Sequence, residues 1–193
     1  MAPRFCFFQR FSRGQKMRKG ENGFSLIELL IVVAIILIIA AIAIPNLLRS
    51  RQAAAQASAV ASVRTINTAA LSYNATFSNG FPPSLAAIGS NGTTSVTCTN
   101  AGLLDAVLTS GIKQGYTFVL THGATQVTSS ASSCSAGYGY ADGYLVTAVP
   151  ITEGTTGQES YCSDASGVIR FNAAGTVNAG PSPNCATTDA PLQ

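Results

Sequence analysis

The sequence predicts an α+β fold in which one long N-terminal helix packs on the face of an antiparallel β-sheet. Residues 24–44 form an apolar run, and residues 46–77 continue without glycine, with their larger apolar residues at helical spacing. After Gly80 the sequence changes to short β-type runs separated by turn residues. We therefore expect a helix with an apolar first half and an amphipathic second half, followed by a β-rich head.

The basic charge of the chain is concentrated in its first residues. Only 10% of the 193 residues are charged, against about 25% in a typical globular protein. Six of the eleven basic residues lie within the first nineteen positions, and the chain after Gly23 carries five basic against seven acidic residues. This composition excludes a disordered tail and a coiled coil, and no nucleic-acid binding is evident from it.

The first half of the helix is long enough to cross a membrane. Residues 24–44 contain Glu28 as their only charge, and at ~1.5 Å per residue they span roughly 32 Å. Arg18 and Lys19 precede them, which predicts a cytoplasmic N-terminus and an exported head. A cleaved secretory signal is the alternative, but its apolar core is normally about 7–15 residues long and would not open with a glutamate.

The second half of the helix has one breaker and one apolar stripe. Pro45 removes a backbone hydrogen bond and should kink the helix, which we expect to run to Phe77. The turn cluster at residues 79–83 should end it. The stripe predicted to cover the sheet consists of Val60, Val63, Ile66, Ala70 and Phe77.

The head should contain a short helix, three strands and disulfide bonds. The helix is expected at residues 101–110, and the strands at residues 116–121, 143–151 and 167–172. Cys6 lies in the basic leader, and the other four cysteines have no CxxC spacing and only His122 as a further soft ligand. This favours disulfides over zinc and a location outside the cytoplasm. Four cysteines allow three connectivities. We expect bonds between neighbours in sequence, Cys98 with Cys134 and Cys162 with Cys185, because this pairing requires the least threading of the chain.

The sequence around residue 23 resembles a known family. A basic leader ends in Gly23, Phe24 follows, Glu28 stands four residues later, and Pro45 lies near the end of the apolar run. This pattern resembles the start of type IV prepilins, a family that includes pilus subunits and the pseudopilins of type II secretion systems. Residues 161–171 are also similar to the strand-turn-strand near the end of many pilin heads.

The resemblance implies a type IV pilin-like fold and a processing pathway. Prepilin peptidase would cut between Gly23 and Phe24 and methylate the new amine. Glu28 would pair with that amine on a neighbouring subunit, although a carboxylate in the first turn also stabilises a helix by itself. The implied domains are a leader at 1–23, an assembly helix at 24–45, an amphipathic helix at 46–78 and the head at 79–193. Family leaders are usually short, so translation could start at Met17.

The sequence departs from the family pattern in the middle of the apolar run. Many pilus subunits have a glycine there, whereas this chain has Leu37 and other apolar residues without glycine. Any unwinding of the helix inside a filament would therefore depend on Pro45.

The expected function is structural, with no enzyme activity, cofactor or metal. The subunit would be stored as a single span in the inner membrane and then polymerise with itself, using the family's assembly machinery and its ATPase. The pilus would serve adhesion, twitching motility or DNA uptake; the alternatives are a periplasmic pseudopilin and a secreted disulfide-bonded binding domain. His122 is expected to be a solvated turn residue, and a calcium site at Asp142, Glu159 and Asp164 is disfavoured because their spacing matches no EF-hand loop.

Overall fold

The computed structural model describes residues 23–90, 95–128, 134, 138–176 and 183–192. The chain divides into two compact units, Met1–Ala43 and Ile44–Gln193. The helices are α1 (Leu26–Phe77), α2 (Leu85–Ile88) and α3 (Ala106–Thr109). The strands are β1 (Ile112–Lys113), β2 (Tyr116–His122), β3 (Tyr144–Pro150), β4 (Ser160–Asp164), β5 (Ile169–Asn172) and β6 (Ala190–Pro191).

Helix α1 ends where the sequence predicts. The Ser78 N–H still donates to the Asn74 carbonyl at 2.9 Å, but Ser78 and Gly80 have φ values of 49° and 79°. Left-handed backbone of this kind cannot continue a right-handed helix. Phe81 then exchanges two backbone hydrogen bonds with Tyr140, which joins the segment after α1 to the head.

The six strands form one antiparallel sheet in chain order, β1 to β6. Such a meander needs only tight connections, and the first is a two-residue turn at Gln114 and Gly115, whose φ values are 51° and 80°. Strands β2 and β3 share the longest register, from Tyr116 opposite Pro150 to His122 opposite Tyr144. Together with α1, this sheet confirms the predicted α+β fold and is consistent with the type IV pilin-like architecture that the resemblance implies.

The amphipathic half of α1 covers one face of the sheet, as predicted. Val63, Ile66 and Ala70 are fully buried and belong to the same core as Phe118 and Val146. The buried stripe starts at Ala59, whereas the predicted Val60 is only partly buried. Phe77 packs in a separate cluster with Tyr73 and the disulfide of Cys98 and Cys134.

One polar contact lies inside this apolar interface. The Asn67 side-chain amide of α1 donates to the Ser163 hydroxyl of β4 at 2.7 Å, and its carbonyl accepts from the Tyr144 hydroxyl of β3 at 3.3 Å. The Ser163 hydroxyl donates in turn to the Val168 carbonyl at 3.1 Å. Because a buried amide without partners is costly, this network favours a single register of α1 on the sheet.

One prediction about the head was wrong in part, and several short elements were not predicted. The helix expected at residues 101–110 covers only Ala106–Thr109, because Gly102 has a φ of 65° and the Asp105 side chain caps the helix at the Leu108 N–H. Helix α2 and strands β1, β4 and β6 were not predicted as elements by composition. The likeness of residues 161–171 to a strand-turn-strand did identify the β4–β5 hairpin.

The disulfides have the pairing expected from the sequence. Cys98 is bonded to Cys134, with Cα atoms 5.5 Å apart, and Cys162 is bonded to Cys185, with Cα atoms 6.0 Å apart. The second bond packs with Leu145 on the sheet face opposite α1. It therefore holds the C-terminal segment against the outer side of β3 and β4.

Candidate processing and assembly site

The first turn of α1 is stabilised by a capping interaction between Ser25, which precedes the helix, and Glu28. The backbone N–H of Ser25 donates to the Glu28 carboxylate at 2.9 Å, and the Ser25 carbonyl accepts the first helical bond from Leu29 at 3.2 Å. Ser25 and Glu28 thus have the spacing of a capping box. The S-x-x-E pattern was visible in the sequence, but the two interpretations given for Glu28, pairing with the Phe24 amine and interaction with the helix dipole, did not include a capping box.

Gly23 has no structural need for glycine. A Cβ built on it would meet nothing within 4 Å, and its φ lies outside the left-handed range. The neighbouring Phe24 is 80% exposed and precedes the first helical residue, Leu26. Neither packing against the described residues nor backbone geometry therefore requires glycine at this position.

The apolar part of α1 is exposed along its whole length in the isolated chain. Its large apolar side chains from Leu26 to Ile44 are each about half exposed or more. In the part of the chain that the structure describes, α1 is the one helix long and apolar enough to span a membrane. An exposed apolar surface of this size is typical of a segment that contacts lipid or other apolar helices.

The predicted site residues fall into two groups. Gly23, Phe24 and Glu28 lie within one short segment of six residues at the start of α1. Pro45 lies inside α1 seventeen residues after Glu28, and the helix continues through it. The kink expected there stays a prediction.

The three carboxylates considered for calcium serve separate local contacts. Asp142 accepts from the Ala124 and Thr125 N–H groups, whereas Glu159 accepts from the Tyr161 hydroxyl at 2.8 Å. No group of three ligating side chains occurs among residues 23–90, 95–128, 134, 138–176 and 183–192.

Asp164 is tied to the C-terminal segment. Burial by itself would raise the pKa of this carboxyl, but hydrogen bonds from Ser166 and from the Cys185 N–H, with help from the Arg170 charge, hold the pKa below its usual value. Its position thus stabilises the segment that the Cys162–Cys185 bond also secures.

His122 differs from the solvated turn residue that we expected. It is the last residue of β2, is half-buried, and stacks on Tyr140 with ring centroids 3.6 Å apart. Its Nδ1 also lies 2.7 Å from the Gly123 carbonyl. Pairing of His122 with Tyr144 extends β2 one residue beyond the predicted strand, and the His122 ring therefore packs on Tyr140.

The described residues form a long helix with an apolar first half, an antiparallel sheet, and a glycine-phenylalanine junction just before the apolar half. The family model described as the prokaryotic N-terminal methylation motif matches residues 18–44 of the chain. This chain thus carries the prepilin signature that type IV pilins and pseudopilins share. Comparisons with curated proteins and with solved structures gave no match.

Proposed function

We propose that this chain is the structural subunit of a type IV pilus. It is stored in the inner membrane with its N-terminus in the cytoplasm, cleaved after Gly23, methylated at Phe24 and polymerised through α1. The observation that carries the proposal is the methylation motif at residues 18–44, joined to an exposed apolar helix. The proposed uses of the filament are adhesion, motility or DNA uptake.

The chemistry of cleavage fits the environment of Gly23. A membrane protease must bind the scissile bond in an extended form, and a residue without Cβ allows close approach and flexibility. The open space around Gly23 supports a role in recognition rather than in folding. We therefore assign Gly23 and Phe24 to prepilin peptidase.

The chemistry of assembly fits Glu28. One carboxylate oxygen accepts the Ser25 N–H, and the other has no hydrogen bond with the described residues. An ionisable group inside a membrane span favours a charged partner. We propose that the methylated amine of Phe24 on the neighbouring subunit is that partner, and that the assembly machinery and its ATPase drive the transfer from lipid to filament.

A periplasmic pseudopilin of a secretion system is the second candidate. The same motif supports it, because pseudopilins share the prepilin signature. Disulfides persist in both the periplasm and the medium, so we favour the pilus on the size of the head, residues 79–193, together with its two disulfides. A secreted binding domain is the third candidate, and the motif at residues 18–44 argues against it.

Mass spectrometry of sheared surface filaments distinguishes the three candidates. We expect an abundant chain that begins at methylated Phe24. A trace amount at the surface with most of the processed chain in the periplasm would instead select the pseudopilin. A soluble chain that begins at Ile44 would select the secreted domain and overturn the proposal.

Substitution of the residue before the cut tests the processing step. Gly23→Val should block cleavage while the head folds normally, because the added side chain meets nothing in the folded chain. Leu26→Val is the matched control, since Leu26 is 80% exposed and lies beyond the scissile bond. Normal cleavage of Gly23→Val would contradict the assignment of this glycine.

A further inference from the structure

The second unit contains a groove beside the part of α1 that follows the apolar run. Arg51, Ala54 and Ala55 form its wall on α1. The β1–β2 turn at Gln114 and the loop at Thr155 and Thr156 form the other walls, and the groove encloses about 430 Å³. This volume is within the range of sites that bind small molecules.

Contacts between α1 and the head hold the groove open. The Gln52 side-chain amide donates to the Gly154 carbonyl, which fixes the loop to the helix. Within the loop the Thr156 hydroxyl accepts from the Thr152 N–H and donates to the Thr152 carbonyl, both at 3.1 Å. The loop that forms the wall opposite Arg51 is therefore fixed both internally and to the helix.

Three of the polar side chains that line the groove are donors without a partner among the described residues. The Arg51 guanidinium, the Gln114 amide and the Thr155 hydroxyl make no hydrogen bond or ion pair with any part of the chain that the structure describes. Arginine binds phosphate through two parallel N–H bonds, and hydroxyl and amide groups complete such sites. The ligand chemistry that fits these donors is an anion with several oxygens.

The head's own carboxylates do not supply this anion. Five of its six acidic residues already accept hydrogen bonds from neutral donors, as the carboxylates of Asp105 and Asp164 illustrate. Glu153 is the exception among the residues with described positions. A second copy of this head would therefore present few uncommitted carboxylates, which favours an anion from outside the protein.

The position of Arg51 along α1 indicates where the anion comes from. Leu47 and Leu48 are more than half exposed and extend the apolar surface to Arg49. Arg51 follows Ile44 by seven residues, a distance of about 10 Å along a helix. The polar layer of a bilayer begins where its hydrocarbon ends and is several Å thick on each side. Long arginine side chains reach into this layer from neighbouring positions.

We propose that this groove binds the headgroup of an anionic phospholipid in the outer leaflet of the membrane that stores the subunit. Arg51 binds the phosphate, Thr155 and Gln114 donate to its remaining oxygens, and Ala54 and Ala55 contact the glycerol carbons. The inference rests on the proposed membrane storage but not on the type of filament. The bound lipid would hold the head at a fixed height until assembly removes it.

Native mass spectrometry of the full chain, released from bilayers of equal parts phosphatidylglycerol and phosphatidylcholine, tests the proposal. We expect the unmodified chain to retain phosphatidylglycerol preferentially and Arg51→Gln to retain about fivefold less, the effect of one arginine near an anionic surface. Thr155→Val should also lower retention. Arg64→Gln is the matched control, because it removes the same charge from α1 outside the groove and should leave retention unchanged.

Three outcomes would overturn this inference. Equal losses in Arg51→Gln and Arg64→Gln would mean that only overall charge matters, and equal retention of the two lipids would exclude an anion site. If Arg51→Gln kept its lipid but formed fewer filaments, the groove would receive a neighbouring subunit instead. Failure of the proposed function is separate, since a chain that is never found in filaments would still show the lipid difference between these variants.

Discussion

Glu28→Gln separates helix capping from charge pairing at the start of α1. A glutamine keeps a carbonyl oxygen at the same reach, so the hydrogen bond from the Ser25 N–H, which is 2.9 Å long in the structure, can persist. What the substitution removes is the charge. The free subunit loses only the interaction with the helix dipole, about 0.3–1 kcal/mol.

The filament should respond much more strongly than the free subunit. If Glu28 pairs with the Phe24 amine of the next subunit, the variant leaves that amine unpaired in an apolar core, which costs roughly 3–5 kcal/mol. At about 1.4 kcal/mol per tenfold, docking affinity falls at least a hundredfold. We expect a processed, membrane-held subunit with few or no filaments.

Two further variants complete the assay, which measures sheared filament yield alongside cleavage after Gly23. Glu28→Ala removes both the cap and the charge, and Glu28→Asp keeps the charge with a shorter reach. Charge pairing predicts that Gln and Ala are equally defective and that Asp retains partial yield. Full yield from Glu28→Gln with a loss only in Glu28→Ala would refute pairing and leave the cap as the role of Glu28.

Three other predictions concern Pro45, the second disulfide and the buried Tyr144. Pro45→Ala should restore a helical bond, stabilise the isolated helix by up to ~3 kcal/mol and reduce filament number if curvature matters for packing; unchanged filaments by electron microscopy would make the proline dispensable. Replacing Cys162 and Cys185 together by serine opens a loop with a sequence separation of 23 residues and should cost on the order of 3 kcal/mol in denaturant unfolding. Peptide mapping that joined Cys98 to Cys185 would contradict the pairing itself. Burial raises the pKa of Tyr144 to about 12, helped by the charge of Asp164, so its contribution to stability is present below pH 10 and is lost as the pH rises through about 12. Tyrosinate absorbance should therefore rise together with unfolding measured by circular dichroism, and ionisation near pH 10 in a folded head would contradict this.

Local signals in the sequence were sufficient for α1 and for the longest strands. The apolar run, the stripe from Val63 to Phe77 and the turn after it depend on residues close in sequence, so composition and periodicity identify them. Strands β2 and β3 are rich in β-branched and aromatic residues and are bounded by turns, which gave their bounds to within one residue. The methylation motif was equally local, because it lies within residues 18–44.

Strand β4 shows why the rest of the head was not predictable from pattern alone. Its sequence SYCSD lacks alternation, yet four of its five residues are buried. Tyr161 and Ser163 face α1, whereas Cys162 is covered by the C-terminal segment that its disulfide holds in place. Both faces become buried only after distant parts of the chain have packed on them.

The sequence by itself therefore determined the apolar segment, the methylation motif, the long helix and the fold class, because each depends on neighbouring residues. The tertiary structure alone decided that Asn67 meets Ser163 and Tyr144, and that Arg51 faces a groove built from two loops of the head. The members of these contacts are separated by roughly sixty to a hundred residues. No local propensity encodes such contacts, because packing of the sheet against α1 brings their members together.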